Sequence, residues 1–305
     1  MNPIVGIGEV LWDVYPDGRK VAGGAPFNFA FHCHQLGHES VIVSRVGDDD
    51  LGRELRDRVR ELGLSDEYIQ TDRDHPTGTV QVTLDANKVP TYTITENVAW
   101  DYIEWDDKLA ALARKCRAVC YGTLGQRSAG GWNTVQEFLC KHLLEGECFP
   151  LRVFDVNLRQ SHPNPLMVRP SVSRAEWVKL NTDEAPRLAA LLGQPDSDLP
   201  AFVRGLICLT TPEQRCAMWT HGGDGCDVFA FGEEFHEPSV PANVVDTVGA
   251  GDAFTAAMVC LHLEGKSLRE CARFAAHYAA RVCEQPGGTP KIDRAEVERA
   301  AGVTS

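Results

Sequence analysis

The chain has 305 residues, 43% hydrophobic and 24% charged, with a formal net charge of −13. That length suits one large α/β domain with an appendage, and no stretch reaches the roughly 18 consecutive apolar residues of a membrane span. An acidic surface argues against nucleic acid or an anionic membrane as the main partner.

The N-terminus lacks a basic region followed by an apolar run, so no secretory signal is expected and the chain reads as cytoplasmic. Residues 4–8 form a short apolar strand. Residues 10–21 are extended around a turn at Pro16-Asp17-Gly18. Residues 26–36 read as a helix stopped by Gly37, and 41–46 as a strand. Leu51, Leu55, Val59 and Leu62 mark one helical face that ends at Gly63. Residues 79–84 and 91–95 alternate with period two about turn residues 85–88, the pattern of a hairpin with one wet face. Apolar strands follow at 118–124, 153–156, 177–180, 216–219 and 226–231, separated by helices that include 129–144 and 182–192. The last third is helical: 253–263, then a helix opened by the capping box of Ser267 and Glu270 and running to Cys283. Strands apolar on both faces, alternating with helices, predict a doubly wound, mostly parallel α/β sheet flanked by helices. The whole chain, 1–305, reads as one domain. The two extended excursions, about 10–21 and 77–96, are expected to pair into a small β-sheet lid over a cleft. The eleven cysteines lie singly and form no Cys-x-x-Cys pair, which reads as free buried thiols rather than disulfides or a zinc site.

The densest chemical signal is Asp246-Thr247-Val248-Gly249-Ala250-Gly251-Asp252. Small residues before a helix let backbone N–H groups approach a ligand, and the helix N-terminus adds partial positive charge. Gly249, Ala250, Gly251 and Asp252 would form an anion hole for a phosphoryl group. The Asp252 carboxylate beside it would accept a proton from an attacking hydroxyl. Taken alone, Gly-x-Gly-Asp also describes a capping Asp after a glycine turn. Near the other end, Gly23-Gly24-Ala25-Pro26-Phe27-Asn28 suits a backbone that approaches a ligand before a helix opened by proline.

These two strings resemble the signatures of the ribokinase-like (PfkB) carbohydrate kinases, the first in the form Asp-Thr-x-Gly-Ala-Gly-Asp and the second in its fructokinase-type form. Weaker motifs fall between them in family order, so the resemblance spans nearly the whole chain. It implies a ribokinase-like fold. It implies substrate binding by Asp13 after the first strand, by Gly23, Gly24 and Asn28, and by Asn157 and Arg159 of Asp155-Val156-Asn157-Leu158-Arg159. It implies nucleotide contacts from Asn181 and Glu184, with Glu184 placing Mg²⁺ through water, and from Thr220, Gly222 and Gly225. Asn181 or Thr182 followed by acids equally describes a plain helix cap. A monovalent cation such as K⁺ would sit at the loop of Asp246 and Val248, near residues 285–288. His221 carries no role and reads as an exposed loop residue. Relatives often carry Trp soon after the Arg159 position, where this chain has Gln160-Ser161-His162-Pro163. The 160–175 stretch therefore departs from the pattern.

The expected function is phosphorylation of a sugar hydroxyl from ATP–Mg²⁺, with Asp252 as base and fructose as the first candidate. Ribose, 2-keto-3-deoxygluconate and nucleosides are the competing substrates. A catalytically silent sugar- or nucleotide-binding protein is the competing class. Its partners would be small molecules, with a homodimer through the lid edges as one option.

Overall fold

Strand residues buried on both faces set the architecture of the computed structural model, which describes residues 2–84, 90–141, 150–159, 165–208 and 215–303. In chain order the strands are β1 (Ile4–Ile7), β2 (Leu11–Val14), β3 (Lys20–Gly23), β4 (Ser40–Gly47), β5 (Ile69–Asp72), β6 (Thr79–Leu84) and β7 (Pro90–Ile94). They continue with β8 (Ala118–Tyr121), β9 (Leu151–Asp155), β10 (Trp177–Asn181), β11 (Cys216–Thr220), β12 (Cys226–Ala230) and β13 (Glu233–Glu237). The helices are α1 (Ala25–Gln35), α2 (Asp50–Glu61), α3 (Asp107–Lys115), α4 (Ala129–Cys140) and α5 (Pro165–Arg174). After these come α6 (Glu184–Leu192), α7 (Leu199–Gly205), α8 (Ala250–Leu263), α9 (Leu268–Cys283) and α10 (Arg294–Ala301).

Nine strands form the main sheet in the order β13-β12-β11-β10-β9-β8-β1-β4-β5. Pairing is parallel from β11 through β5 and antiparallel at the β11–β12 and β12–β13 edge. Residues of α1, α8, α9 and α10 pack one face of the sheet, and those of α3 to α7 pack the other. From β1 the chain runs outward to β4 and β5, then returns to build β8 to β11 on the other side. Strand order thus reverses beside β1, and in open α/β sheets the crevice beyond strand C-termini at such a point takes ligands.

A second sheet, β3-β2-β6-β7, joins the two expected excursions. Strands β2 and β6 pair in parallel, with Asp13 opposite Val80, so residues far apart in sequence share one sheet. Val80 and Val82 are buried while Gln81 and Thr83 are exposed, as the period-two pattern requires. The sheet is tied to the main domain at both ends. Asp49 accepts from the Thr77 N–H and hydroxyl at 2.8 and 2.6 Å. Arg127 donates to both Asp101 oxygens at 2.7 and 2.8 Å and to the Thr95 carbonyl at 2.6 Å. Its guanidinium also lies 3.9 Å from the Trp100 ring centroid.

Several predicted boundaries move. The strand expected over 118–124 stops at Tyr121, and residues 124–126 form a 3₁₀ turn. The helix expected from 182 starts at Glu184, because the Asn181 side chain accepts the Glu184 N–H at 3.0 Å. The helix expected from 253 starts at Ala250. The turn at 85–88, the end of the 129–144 helix from 142, and residues 160–163 lie outside the described residues, whereas most of the 160–175 stretch is helix α5. Nine described cysteines are free thiols, seven of them buried. Among the described residues no helix is long and apolar enough to cross a membrane.

Candidate active site

The glycine-rich string makes its turn at Gly249, which has φ of +76° and caps α8. A β-carbon there would lie 2.6 Å from Gly288 Cα, so glycine is needed for both the backbone angle and the close approach. The Ala250 N–H turns back to the Thr247 carbonyl at 3.3 Å. The next N–H groups, of Gly251 and Asp252, lie in the first helical turn, where no intrahelical acceptor exists. Asp252 Oδ2 accepts from Asn28 Nδ2 at 2.8 Å, which joins the two sequence signatures across 224 positions. Burial pushes the Asp252 carboxyl up to about 7 and neighbouring Asp155 adds to the shift, against the pull of Asn28, Lys179 and Arg159.

Above Asp252 lies a cavity of about 440 Å³ beyond the C-termini of the central strands. Asp13, Gly23, Gly24, Asn28, Asn157 and Arg159 all line it, so every residue expected to bind substrate is brought together. Leu11, Val21, Val80 and Ile94 of the smaller sheet close one side. The Asp13 carboxyl is raised to about 6 by burial, with Arg159 opposing. Gly24, at φ +118°, sits where a β-carbon would be 2.4 Å from the Glu9 carbonyl. Glu9 is 2% exposed. Its Oε1 accepts the Ala25 N–H at 3.2 Å, while Oε2 is buried without a partner among the described residues. Burial lifts the Glu9 carboxyl to about 7.

A second cavity of about 520 Å³ lies beside the first, on the side of β11 and α9. Thr220, Gly222, Gly225 and Ala250 line it, with the apolar Val240, Val244 and Phe254. Asn181, Gly251, Thr247 and Lys179 belong to both cavities. Glu184 faces the first cavity, but its oxygens accept the N–H groups of Leu158 at 3.0 Å and Asn181 at 2.8 Å. With the return bond from Glu184 N–H to Asn181, the Asn-x-x-Glu string therefore caps α6 and fixes the end of β9 as well as facing the cavity. Asp246 accepts from Val248 N–H at 3.0 Å and from Gly287 N–H at 2.9 Å, tying the glycine-rich loop to residues 285–288. His221 is corrected: it is partly buried, with Nε2 3.0 Å from Asp227 and Nδ1 3.1 Å from the Thr182 hydroxyl. The glycine turn leaves its imidazole folded back over the strands rather than out in solvent.

Two wall residues escaped the sequence reading. Glu9 follows Gly8 just beyond the end of β1, four residues before Asp13, and no local pattern marks it. Lys179 is 6% exposed among the apolar Trp177, Val178 and Leu180 of β10 and binds Asp155 at 3.2 Å. A lone lysine inside a buried parallel strand was the available signal, since lysine is seldom buried unless paired. Burial alone would lower its pKa, but Asp155, Glu184 and Asp252 outweigh that and raise it.

The sequence and the fold are similar to those of known proteins. The model of the pfkB family of carbohydrate kinases matches residues 14–295. Fructokinase of Escherichia coli is 29% identical over 279 residues, 83% of this chain and 82% of that protein. A sugar kinase of Pyrococcus horikoshii, solved in complex with ATP, superposes with a TM-score of 0.79 at 26% identity, covering 97% of each chain. Arabidopsis thaliana ribokinase, solved with ribose and ATP, superposes with a TM-score of 0.80 at 22% identity over the full length of both chains, which makes the fold ribokinase-like. With its two signatures joined at Asn28 and Asp252 across one cavity, the chain belongs to the pfkB family and is a carbohydrate kinase.

Proposed function

We propose that this kinase transfers the γ-phosphoryl group of ATP to a hydroxyl of a neutral sugar, with fructose the leading substrate. The observation that carries the reading is the position of Asp252. Its carboxylate faces the first cavity, held by Asn28 from the expected sugar side, in the first turn of a helix opened by Gly249, one residue after Gly251, which lines both cavities. The sugar would lie in the first cavity, against Asp13, Gly24, Asn28, Asn157 and Arg159. The nucleotide would lie in the second, along Thr220, Gly222 and Gly225, with the Gly251 and Asp252 amides toward its terminal phosphate.

The step balances within this site. The sugar oxygen forms its bond to the γ-phosphorus as the bond from that phosphorus to the β–γ bridging oxygen breaks. The bridging electron pair leaves with ADP, and the hydroxyl proton passes to Asp252. A carboxylate raised to about 7 is well matched to that task near neutral pH. The smaller sheet would act as the lid, excluding water that otherwise competes for the phosphoryl group.

A neutral sugar is favoured by the wall, where the acids Glu9, Asp13 and Asp252 face Arg159 and Lys179. Adjacent hydroxyls are the donors that carboxylates grip. Fructose is favoured by the Gly-Gly-Ala-Pro-x-Asn string and by the E. coli relative. Mg²⁺ would enter with ATP and neutralise charge on its β- and γ-phosphates. The described residues hold no cluster of three acidic, His or Cys groups for a metal, so Glu184, with both oxygens engaged, would reach it through water. K⁺ would be held by carbonyl groups of the loop at Asp246 and Val248, with Asp246 fixing the loop's shape. A homodimer would form on the outer edges of β3 or β7.

The test is ADP release with ATP–Mg²⁺ against a panel of fructose, ribose, 2-keto-3-deoxygluconate and nucleosides, beside Asp252→Asn. The expected result is sugar-dependent turnover that the substitution lowers by at least about a hundredfold. Full activity in the variant removes Asp252 from the mechanism. Binding without turnover on every panel member moves the chain to the silent-binder class.

A further inference from the structure

The two cavities share four wall residues, and of these only Lys179 carries a charge. Its side chain rises from the middle of the main sheet and is 8% exposed. The ammonium lies 2.9 Å from where a β-carbon on Gly251 would stand, so it abuts the backbone that opens α8. Glycine at 251 leaves it that space. Asp155 Oδ1 is 3.2 Å away, and among the described residues it is the one acceptor that Lys179 has. Asp155 cannot follow a moving lysine freely, because its other oxygen accepts the Thr255 hydroxyl at 3.1 Å. An ammonium carries three donors, so two remain for a ligand at the boundary of the cavities.

Charge points the same way. Asp155, Glu184 and Asp252 all act on Lys179. A polyphosphate brought to this acidic cluster needs a cation, and Lys179 is the one placed where both cavities meet. A counter-ion for Asp155 alone would have no need to line either.

We propose that Lys179 is a catalytic residue whose ammonium binds the phosphoryl group during transfer. It donates to the phosphoryl oxygens while the sugar–phosphorus bond forms and the bond to the bridging oxygen breaks. It keeps its own proton, and the hydroxyl proton still goes to Asp252. The inference rests on the sugar lying in the first cavity and the nucleotide in the second.

The experiment is steady-state kinetics on Lys179→Met, Asp155→Asn and the double variant, with Asp252→Asn run in parallel. Lys179→Met is expected to lower kcat by about a hundredfold or more, the scale of one lost donor to a developing oxyanion. The sugar KM should change less than about threefold, and the acid limb of kcat/KM should move to higher pH because Lys179 holds the Asp252 carboxyl down. Asp155→Asn should stay within about tenfold of wild type, and the double variant should be as slow as Lys179→Met. If Lys179→Met fails to unfold cooperatively, the double variant still decides, since it leaves no unpaired charge behind. A double variant within about threefold of wild type overturns the proposal. Equal losses in both single variants with no further loss in the double also overturn it, and make Lys179 a counter-ion. A fully active Asp252→Asn enzyme fails the placement of the reaction instead, whatever Lys179 does.

Discussion

Replacing Asn28 with Ala removes the one side-chain hydrogen-bond donor that, among the described residues, reaches Asp252 from the sugar cavity, at 2.8 Å. A hydrogen bond to a charged group contributes about 1.5–3 kcal/mol, and one pKa unit corresponds to about 1.36 kcal/mol. Losing the bond should therefore raise the Asp252 carboxyl by about 1–2 units above its present position of about 7. A general base works in its deprotonated form, so kcat/KM rises with pH through that value and then levels. In Asn28→Ala the rise moves to higher pH. Loss of the sugar contact lowers kcat/KM at every pH alike, so the ratio of variant to wild type isolates the electrostatic part. That ratio should be smallest near and below neutral pH and climb by about tenfold or more toward alkaline pH. The assay is initial-rate ADP release at low sugar and saturating ATP–Mg²⁺ across that range. A constant ratio, or a limb displaced to lower pH, refutes the reasoning that Asn28 tunes the base.

Three further outcomes are expected. His32, fully buried, donates from Nε2 to the Gly288 carbonyl at 3.0 Å and accepts at Nδ1 from the Tyr278 hydroxyl at 3.1 Å. Burial lowers its pKa from 6.5 to about 4. The unfolded chain thus takes the proton first, and stability present above pH 6.5 is lost as pH falls toward 4. By pH 4.5 the loss amounts to about 2–3 kcal/mol, and denaturant titrations should show a shallower pH dependence in His32→Gln. Parallel curves for the two proteins would count against it. Arg127→Met leaves Asp101 buried and unpaired and should cost about 3–5 kcal/mol in urea unfolding; a loss below about 1 kcal/mol means the pair does not hold the smaller sheet. Gly249→Ala drives a β-carbon into Gly288 and should reduce kcat by about a hundredfold or more, whereas kcat within about threefold of wild type would show that the loop relaxes without harm to the anion hole.

The parts of the site legible in sequence are those whose chemistry is local. The string from Asp246 to Asp252 and the segment from Gly23 to Asn28 each carry their own glycine turn and helix opening, so both stood out in the sequence, and Asn28 and Asp252 meet across the cavity. Strands β6 and β7 of the smaller sheet were legible because period-two alternation survives where one face is buried, and β2 and β3 because a Pro-Asp-Gly turn divides an extended stretch. Lys179 and Glu9 were not, because their character comes from tertiary burial among acids and a partner that lies elsewhere in the chain. The start of α8 was misplaced for a related reason. Gly-Ala-Gly has poor helix propensity, and the helix begins there because Gly249 turns against Gly288. Glu184 shows the limit in another form. The pattern pointed it at a ligand, yet no periodicity reveals that its two oxygens already hold the backbone of Leu158 and Asn181.

The buried thiols give the molecule a built-in clock. The thiolate attacks a water-soluble thiol reagent, and Cys33, Cys120 or Cys260 meets that reagent only when the packed helices part. Labelling of these positions therefore counts opening events rather than surface chemistry. A sugar that binds the closed protein suppresses opening by the factor 1 + [L]/Kd. Candidate sugars are thus ranked by how far each slows the clock, with no nucleotide present and no phosphate transferred.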